Sequence, residues 1–146
     1  MATVKIENFD EVERQLSQLP IGLSRGNVLR AAMRKAGKLV VDRAKQLVPP
    51  PGYPGDKPQF KPLRDTLAVE TRGYTNAMVA IVGAKRPAGS HGHLVEESHR
   101  HFSHGVPTGV MTEPTPFIGP AAEQTAGQQQ ITLIDGIKKA VAKATQ

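Results

Sequence analysis

Leu63-Arg-Asp-Thr-Leu-Ala-Val-Glu-Thr-Arg-Gly-Tyr74, followed after a short gap by Met78-Val-Ala-Ile-Val82 and Gly83, decides the fold class. Leu67 and Val69 alternate with Thr66, Ala68 and Glu70, which is the period of a strand with one buried face. The reading extends this strand from Leu63 to Tyr74. Met78 to Val82 forms a second strand of buried character, and Tyr74-Thr-Asn-Ala77 supplies the turn between them. Two such runs across a short turn predict an antiparallel hairpin, so a chain that is otherwise largely helical is α+β.

On the N-terminal side lies the strongest helical pattern, from Ser24 to Val48. Leu29, Ala32, Ala36, Val40, Ala44 and Leu47 recur at helical spacing and mark one apolar face. Arg30, Arg34, Lys38 and Lys45 form a basic stripe on another face. Earlier still, Thr3 to Ile6 reads as a short strand, and Asn8 or Asp10 caps a helix ending near Leu19. Pro49-Pro-Pro-Gly-Tyr-Pro-Gly-Asp-Lys-Pro58 stops the long helix, because consecutive prolines favour polyproline II and the glycines favour turns.

On the C-terminal side, Lys85 to Ser90 reads as loop, Leu94 to His99 as a short helix or strand, and Ser103 to Thr115 as irregular, with a short strand around Val110-Met111. The last helix runs from about Pro116 to Ala144. Pro116 and Pro120 flank Phe117-Ile118, and proline suits a first helical turn because its missing N–H has no intrahelical partner there. An aromatic held between two prolines has little freedom to lose on burial. Pro116, Phe117 and Pro120 therefore read as an anchor joining loop to helix. Ile131, Ile134, Ile137, Val141 and Ala144 mark its apolar face, Lys138, Lys139 and Lys143 oppose the helix dipole, and Gly127 and Gly136 weaken it. The expected architecture is one domain over residues 1–146: a small antiparallel β-sheet packed against a long central helix and a C-terminal helix, with long Pro/Gly-rich loops.

Composition narrows the function. There is no cysteine, which excludes disulfides and thiolate chemistry. No segment approaches the apolar length of a membrane span, and the opening residues lack the apolar run of a signal peptide, so synthesis in a cytoplasm is expected. The net charge of +6 favours acidic partners, either nucleic acid or an acidic protein surface.

Candidate chemistry is sparse. All five histidines, His91, His93, His99, His101 and His104, fall in one short region with Glu96 and Glu97 nearby. Imidazole is a common zinc ligand, but the same pattern suits a polar loop of freely titrating side chains, and no metal or cofactor is assigned. Ser90, Ser98 and Ser103 lie in the same region without a Gly-x-Ser-x-Gly elbow, and no phosphate-binding glycine fingerprint is present. An enzyme is not expected. The basic stripe is a candidate for contact with a neighbouring subunit or with DNA, although no aromatics interleave with it for base stacking.

Six blocks in order resemble the minor tail components of long-tailed bacteriophages, the tail-completion or neck proteins at the head–tail junction. They are Leu16-Ser-Gln-Leu-Pro20; the Ala-rich helix from Val28-Leu-Arg-Ala-Ala-Met to Ala44-Lys-Gln-Leu-Val-Pro49; Leu63-Arg-Asp-Thr-Leu67; Val79-Ala-Ile-Val-Gly83; Leu94-Val-Glu-Glu-Ser98; and Pro116-Phe-Ile-Gly-Pro-Ala121. The chain departs at Glu97-Ser98, where such proteins carry an aromatic and a glycine, and in the His-rich insertion up to Val106. The resemblance implies a structural virion protein without catalysis, made in the host bacterial cytoplasm. It implies a homo-oligomeric ring, six-fold or twelve-fold, that completes the tail and meets neck, connector or tail-tube proteins. Non-specific contact with packaged DNA is an accompanying expectation, with no membrane partner. The alternative is a small basic nucleic-acid-binding protein. Pro49 to Pro62 and Lys85 to Pro114 are expected to be mobile until assembly.

Overall fold

The computed structural model describes residues 10, 14, 17, 25–50, 61–74 and 78–144. In chain order the elements are α1 (Arg25–Leu47), α2 (Leu63–Thr66), β1 (Leu67–Gly73), β2 (Met78–Ala84), α3 (Gly92–Glu96), β3 (Arg100–Ser103), β4 (Val106–Met111) and α4 (Ile118–Ala144). The fold is α+β, with two small antiparallel sheets and two long helices. Asp10, Arg14 and Ser17 are helical. The expected strand at Thr3 to Ile6, the remainder of the first helix, the Pro-rich loop after Pro50 and the turn at residues 75–77 lie outside the described residues.

α1 and α4 pack antiparallel along much of their length. Ala32 near the start of α1 shares a cluster with Ile137 near the end of α4, while Val40, Val41, Ala44 and Val48 meet Phe117 and Ala121 at the other end. Arg43 of α1 donates from Nε to Gln124 Oε1 of α4 at 2.6 Å. Gly136 has a role that helix propensity does not reveal. A Cβ there would lie 3.1 Å from the Ala32 Cβ, so two small residues set how closely the helices approach.

β1 and β2 pair in register from Leu67↔Ala84 to Gly73↔Met78 and lie across α1. Leu67, Val69 and Val82 face the helix with the larger core cluster. Gly37 on α1 permits this contact, since a Cβ there would come within 2.5 Å of Val69 Cγ2.

Three boundaries differ from expectation. Leu63 to Thr66 is a helical turn, not strand: Pro62 C=O accepts from Asp65 N–H at 2.9 Å, and Thr66 Oγ1 donates to Leu63 C=O at 2.7 Å. That turn buries Leu63 and Thr66 together. The region read as irregular holds a second hairpin, β3–β4, turning through His104 (φ 50°) and Gly105 (φ 81°). Two successive positive φ values are the mark of a type I′ turn, usually written Asn-Gly, and here written His-Gly. Finally, α4 begins at Ile118, two residues later than the prolines suggested.

Candidate functional site

Phe117 is the N-cap of α4. Its C=O accepts the first helical bond, from Ala121 N–H at 3.2 Å, and its side chain is wholly buried. A helix start leaves four backbone N–H groups without intrahelical partners. Here they belong to Phe117, Ile118, Gly119 and residue 120. The last is proline and has no N–H, and the other three all donate to one carboxylate. Phe117 N–H reaches Glu96 Oε2 at 2.9 Å, Ile118 N–H lies 3.1 Å from Oε2 and 3.2 Å from Oε1, and Gly119 N–H reaches Oε1 at 3.1 Å. All four positions are thus accounted for by Glu96 and Pro120 together. A negative charge at this end of a helix also meets the positive pole of its dipole.

α3 delivers Glu96 to that position. It is a short helical stretch whose last residue is Glu96, and Val95 packs partly buried against the main core. Thr115 N–H donates to Val95 C=O at 2.8 Å, which brings the segment before α4 alongside α3. Gly89 and Gly92 make the approach possible. A Cβ on Gly89 would lie 2.5 Å from Thr66 Oγ1 and 2.7 Å from the Ala84 Cβ, and one on Gly92 3.0 Å from the Ala84 Cβ. Beside the joint is a cavity of about 260 Å³ whose lining includes Arg86, Ser90, His93, Glu96, Glu97 and Phe117.

The histidines do not converge. His93 Nδ1 donates to Ser90 C=O at 2.8 Å, His99 Nδ1 pairs with Thr112 Oγ1 at 2.8 Å, His101 Nδ1 with Thr108 Oγ1 at 3.2 Å, and His104 Nδ1 with Ser103 Oγ at 3.1 Å. His91 sits half-buried before α3. Among the described residues no group of three or more His, Asp or Glu side chains is placed to hold a metal ion.

The basic stripe is unevenly exposed. Arg30 and Arg34 are exposed, Lys38 is engaged with Asp42 at 2.6 Å, and Lys45 is half-buried. A second ion pair, Arg72 with Glu70 at 3.1 Å, lies on β1, where the hydrogen bond and charge of Glu70 raise the guanidinium above its ordinary value. Pro116 is exposed at the entry to α4 and Pro120 half-buried in its first turn.

The capping role of Glu96 is not visible in the sequence, where the residue stands beside the histidines and inside the Leu94–Ser98 block. One signal pointed to it: the helix start Pro-Phe-Ile-Gly-Pro offers no Ser, Thr, Asp or Asn at the cap, so its donors must be satisfied from elsewhere. Among the described residues no helix is long and apolar enough to cross a membrane. No family model, curated protein or solved structure matches the chain.

Proposed function

We propose that this chain is a structural virion protein of the phage neck or tail, forming an oligomeric ring that completes the tail and helps join it to the head connector. The observation that carries this reading is the Glu96 bridge. The last two blocks of the phage-like signature, Leu94-Val-Glu and Pro116-Phe-Ile-Gly-Pro-Ala, are far apart in sequence, Phe117 standing 21 positions after Glu96. In the fold they are one unit, with the carboxylate of the first capping the helix of the second. Two weak motifs that complete each other physically carry more weight than two found independently.

The surroundings of the bridge support the same role. The fold spends its core on holding two helices, a sheet and a clamped loop together, and it presents an exposed hairpin and an exposed pair of arginines to the outside. Such a subunit is suited to contacts more than to chemistry. The test is cryo-electron microscopy of particles of the phage that encodes the chain. Density for the chain at the neck or tail end is expected, and its absence from purified particles refutes the reading.

The exposure of Arg30 and Arg34 favours a second reading, nucleic-acid binding. Neither has a carboxylate within ion-pair distance among the described residues. On that reading duplex DNA is retarded at low salt, and the double substitution R30Q/R34Q weakens binding and flattens its salt dependence.

A further inference from the structure

The β3–β4 hairpin is exposed at every residue. Phe102, Val106, Val110 and Met111 are 57%, 64%, 59% and 54% accessible, and neither strand packs extensively against α1, α4 or the β1–β2 sheet. By strand alternation Phe102 and Met111 share one face and Val106 and Val110 the other, so each face exposes on the order of 200 Å² of apolar surface. The register sets Arg100 opposite Met111 and Phe102 opposite Pro107, so Arg, Phe and Met, types enriched at protein interfaces, cluster on one face. From His99 to Thr112 there is no aspartate or glutamate. A partner for this arm must offer apolar surface and a carboxylate.

The chain itself carries such a surface. Strand alternation directs Ala68, Glu70 and Arg72 of β1, and Val79, Ile81 and Gly83 of β2, away from α1. Val79 and Ile81 are each 41% accessible. Glu70, the one carboxylate on that face among the described residues, is 62% accessible and among them contacts Arg72, which leaves capacity for a second cation. We infer that the hairpin is an assembly arm that seats on the outer face of the β1–β2 sheet of a second copy of this chain. Phe102 and Met111 cover Val79 and Ile81, and Arg100 reaches Glu70. The contact is face to face. Pro107 and Gly109 (φ 76°) interrupt the free edge of β4, so it is a poor template for an added strand.

Area favours a repeated contact over a single one. The seated face of one arm supplies about a quarter of the ~800 Å² per partner of a stable interface. Donor and acceptor are different surfaces, so each copy gives one arm and receives one, in a reciprocal two-fold pair or in a closed ring, and is covered twice. The inference rests on the homo-oligomeric part of the proposed function and names the surfaces that serve it.

The test uses the full chain in sedimentation equilibrium from micromolar to millimolar concentration, compared with the double substitution F102S/M111S. Wild type is expected to associate, and the double variant to do so at least ~10-fold more weakly, with an unchanged circular-dichroism spectrum. The absence of native cysteine allows a second arm. Phe102→Cys and Ile81→Cys copies, mixed and oxidised, are expected to form the mixed disulfide in preference to either like pair. A chain monomeric at every concentration, an association indifferent to F102S/M111S, or a Phe102→Cys self-pair as the main product each overturns the inference. None of those results removes the proposed function, which fails only if the chain is missing from the particle.

Discussion

Glu96→Ala strips the acceptor from three backbone N–H groups at once. A cap residue lost from a helix typically costs ~1 kcal/mol, up to about 2. Here the acceptor is a charged group, whose hydrogen bonds contribute about 1.5–3 kcal/mol each, and the donors lie beside the fully buried Phe117. The three bonds share one carboxylate and a partly buried setting, so they do not add. Water reaches part of the joint after truncation. A loss of about 3 kcal/mol is expected, equivalent to roughly 6–12 °C in Tm for a chain of this size. Glu96→Gln retains one acceptor oxygen but turns an amide NH₂ toward a donor, and a loss of about 1–2 kcal/mol is expected. Glu97→Ala, exposed and without a role in the joint, serves as the control. Thermal melts supply the magnitude, and amide hydrogen exchange supplies the location: Phe117, Ile118 and Gly119 should lose protection selectively in Glu96→Ala. Equal Tm values for Glu96→Ala and Glu97→Ala, or unchanged protection at those three amides, would refute the reasoning.

Two further substitutions probe the packing. Gly37→Ala gains about 1 kcal/mol of helix propensity but drives a methyl to 2.5 Å from Val69 Cγ2, an overpacking cost of about 1–3 kcal/mol. A net loss of stability by chemical denaturation is expected, and a net gain would show that the sheet moves freely over α1. Thr71 Oγ1 is buried without a hydrogen-bond partner among the described residues. Thr71→Val removes that hydroxyl at constant shape and should raise stability by about 1 kcal/mol in the same assay.

The long helices and the first hairpin were legible because their signals are local. Apolar spacing along Leu29 to Leu47 and alternation along Leu67 to Val69 need no knowledge of distant residues. Where the reading failed, the deciding contact was remote or the signal was disguised. Leu63 and Thr66 fit a strand period as well as a turn, and the choice is made by Pro62 and by the core that takes up their side chains. The second hairpin went unrecognised because His104 occupies the place where a turn usually shows Asn. Gly136 was read as a weakness of α4, and its value lies in Ala32, more than a hundred residues earlier. The bridge by Glu96 is the extreme case: no period links it to Phe117, and only the missing cap and the proline at position 120 hint that an acceptor must arrive from outside.

The bridge also separates folding from assembly, and this can be tested directly. Residues between Glu96 and Phe117 form a closed excursion. Its base is held by Glu96 on α4, by Thr115 N–H on Val95 C=O, and by Thr112 N–H on His99 C=O at 2.9 Å. Beyond that base the hairpin is exposed throughout and contributes no residue to either core cluster. Replacing residues 100–111 by a Gly-Gly-Ser linker joins His99 and Thr112, whose C=O and N–H already lie within hydrogen-bond distance of each other. Shortening a loop by this amount changes closure entropy by less than ~2 kcal/mol, in the stabilising direction. The shortened chain should therefore melt within a few degrees of the parent and keep the Glu96-dependent protection of Phe117, Ile118 and Gly119, while losing self-association. A large drop in Tm would mean that the hairpin helps to hold the joint in place. Normal folding with undiminished self-association would move the assembly surface elsewhere on the chain, leaving the hairpin without a part in it.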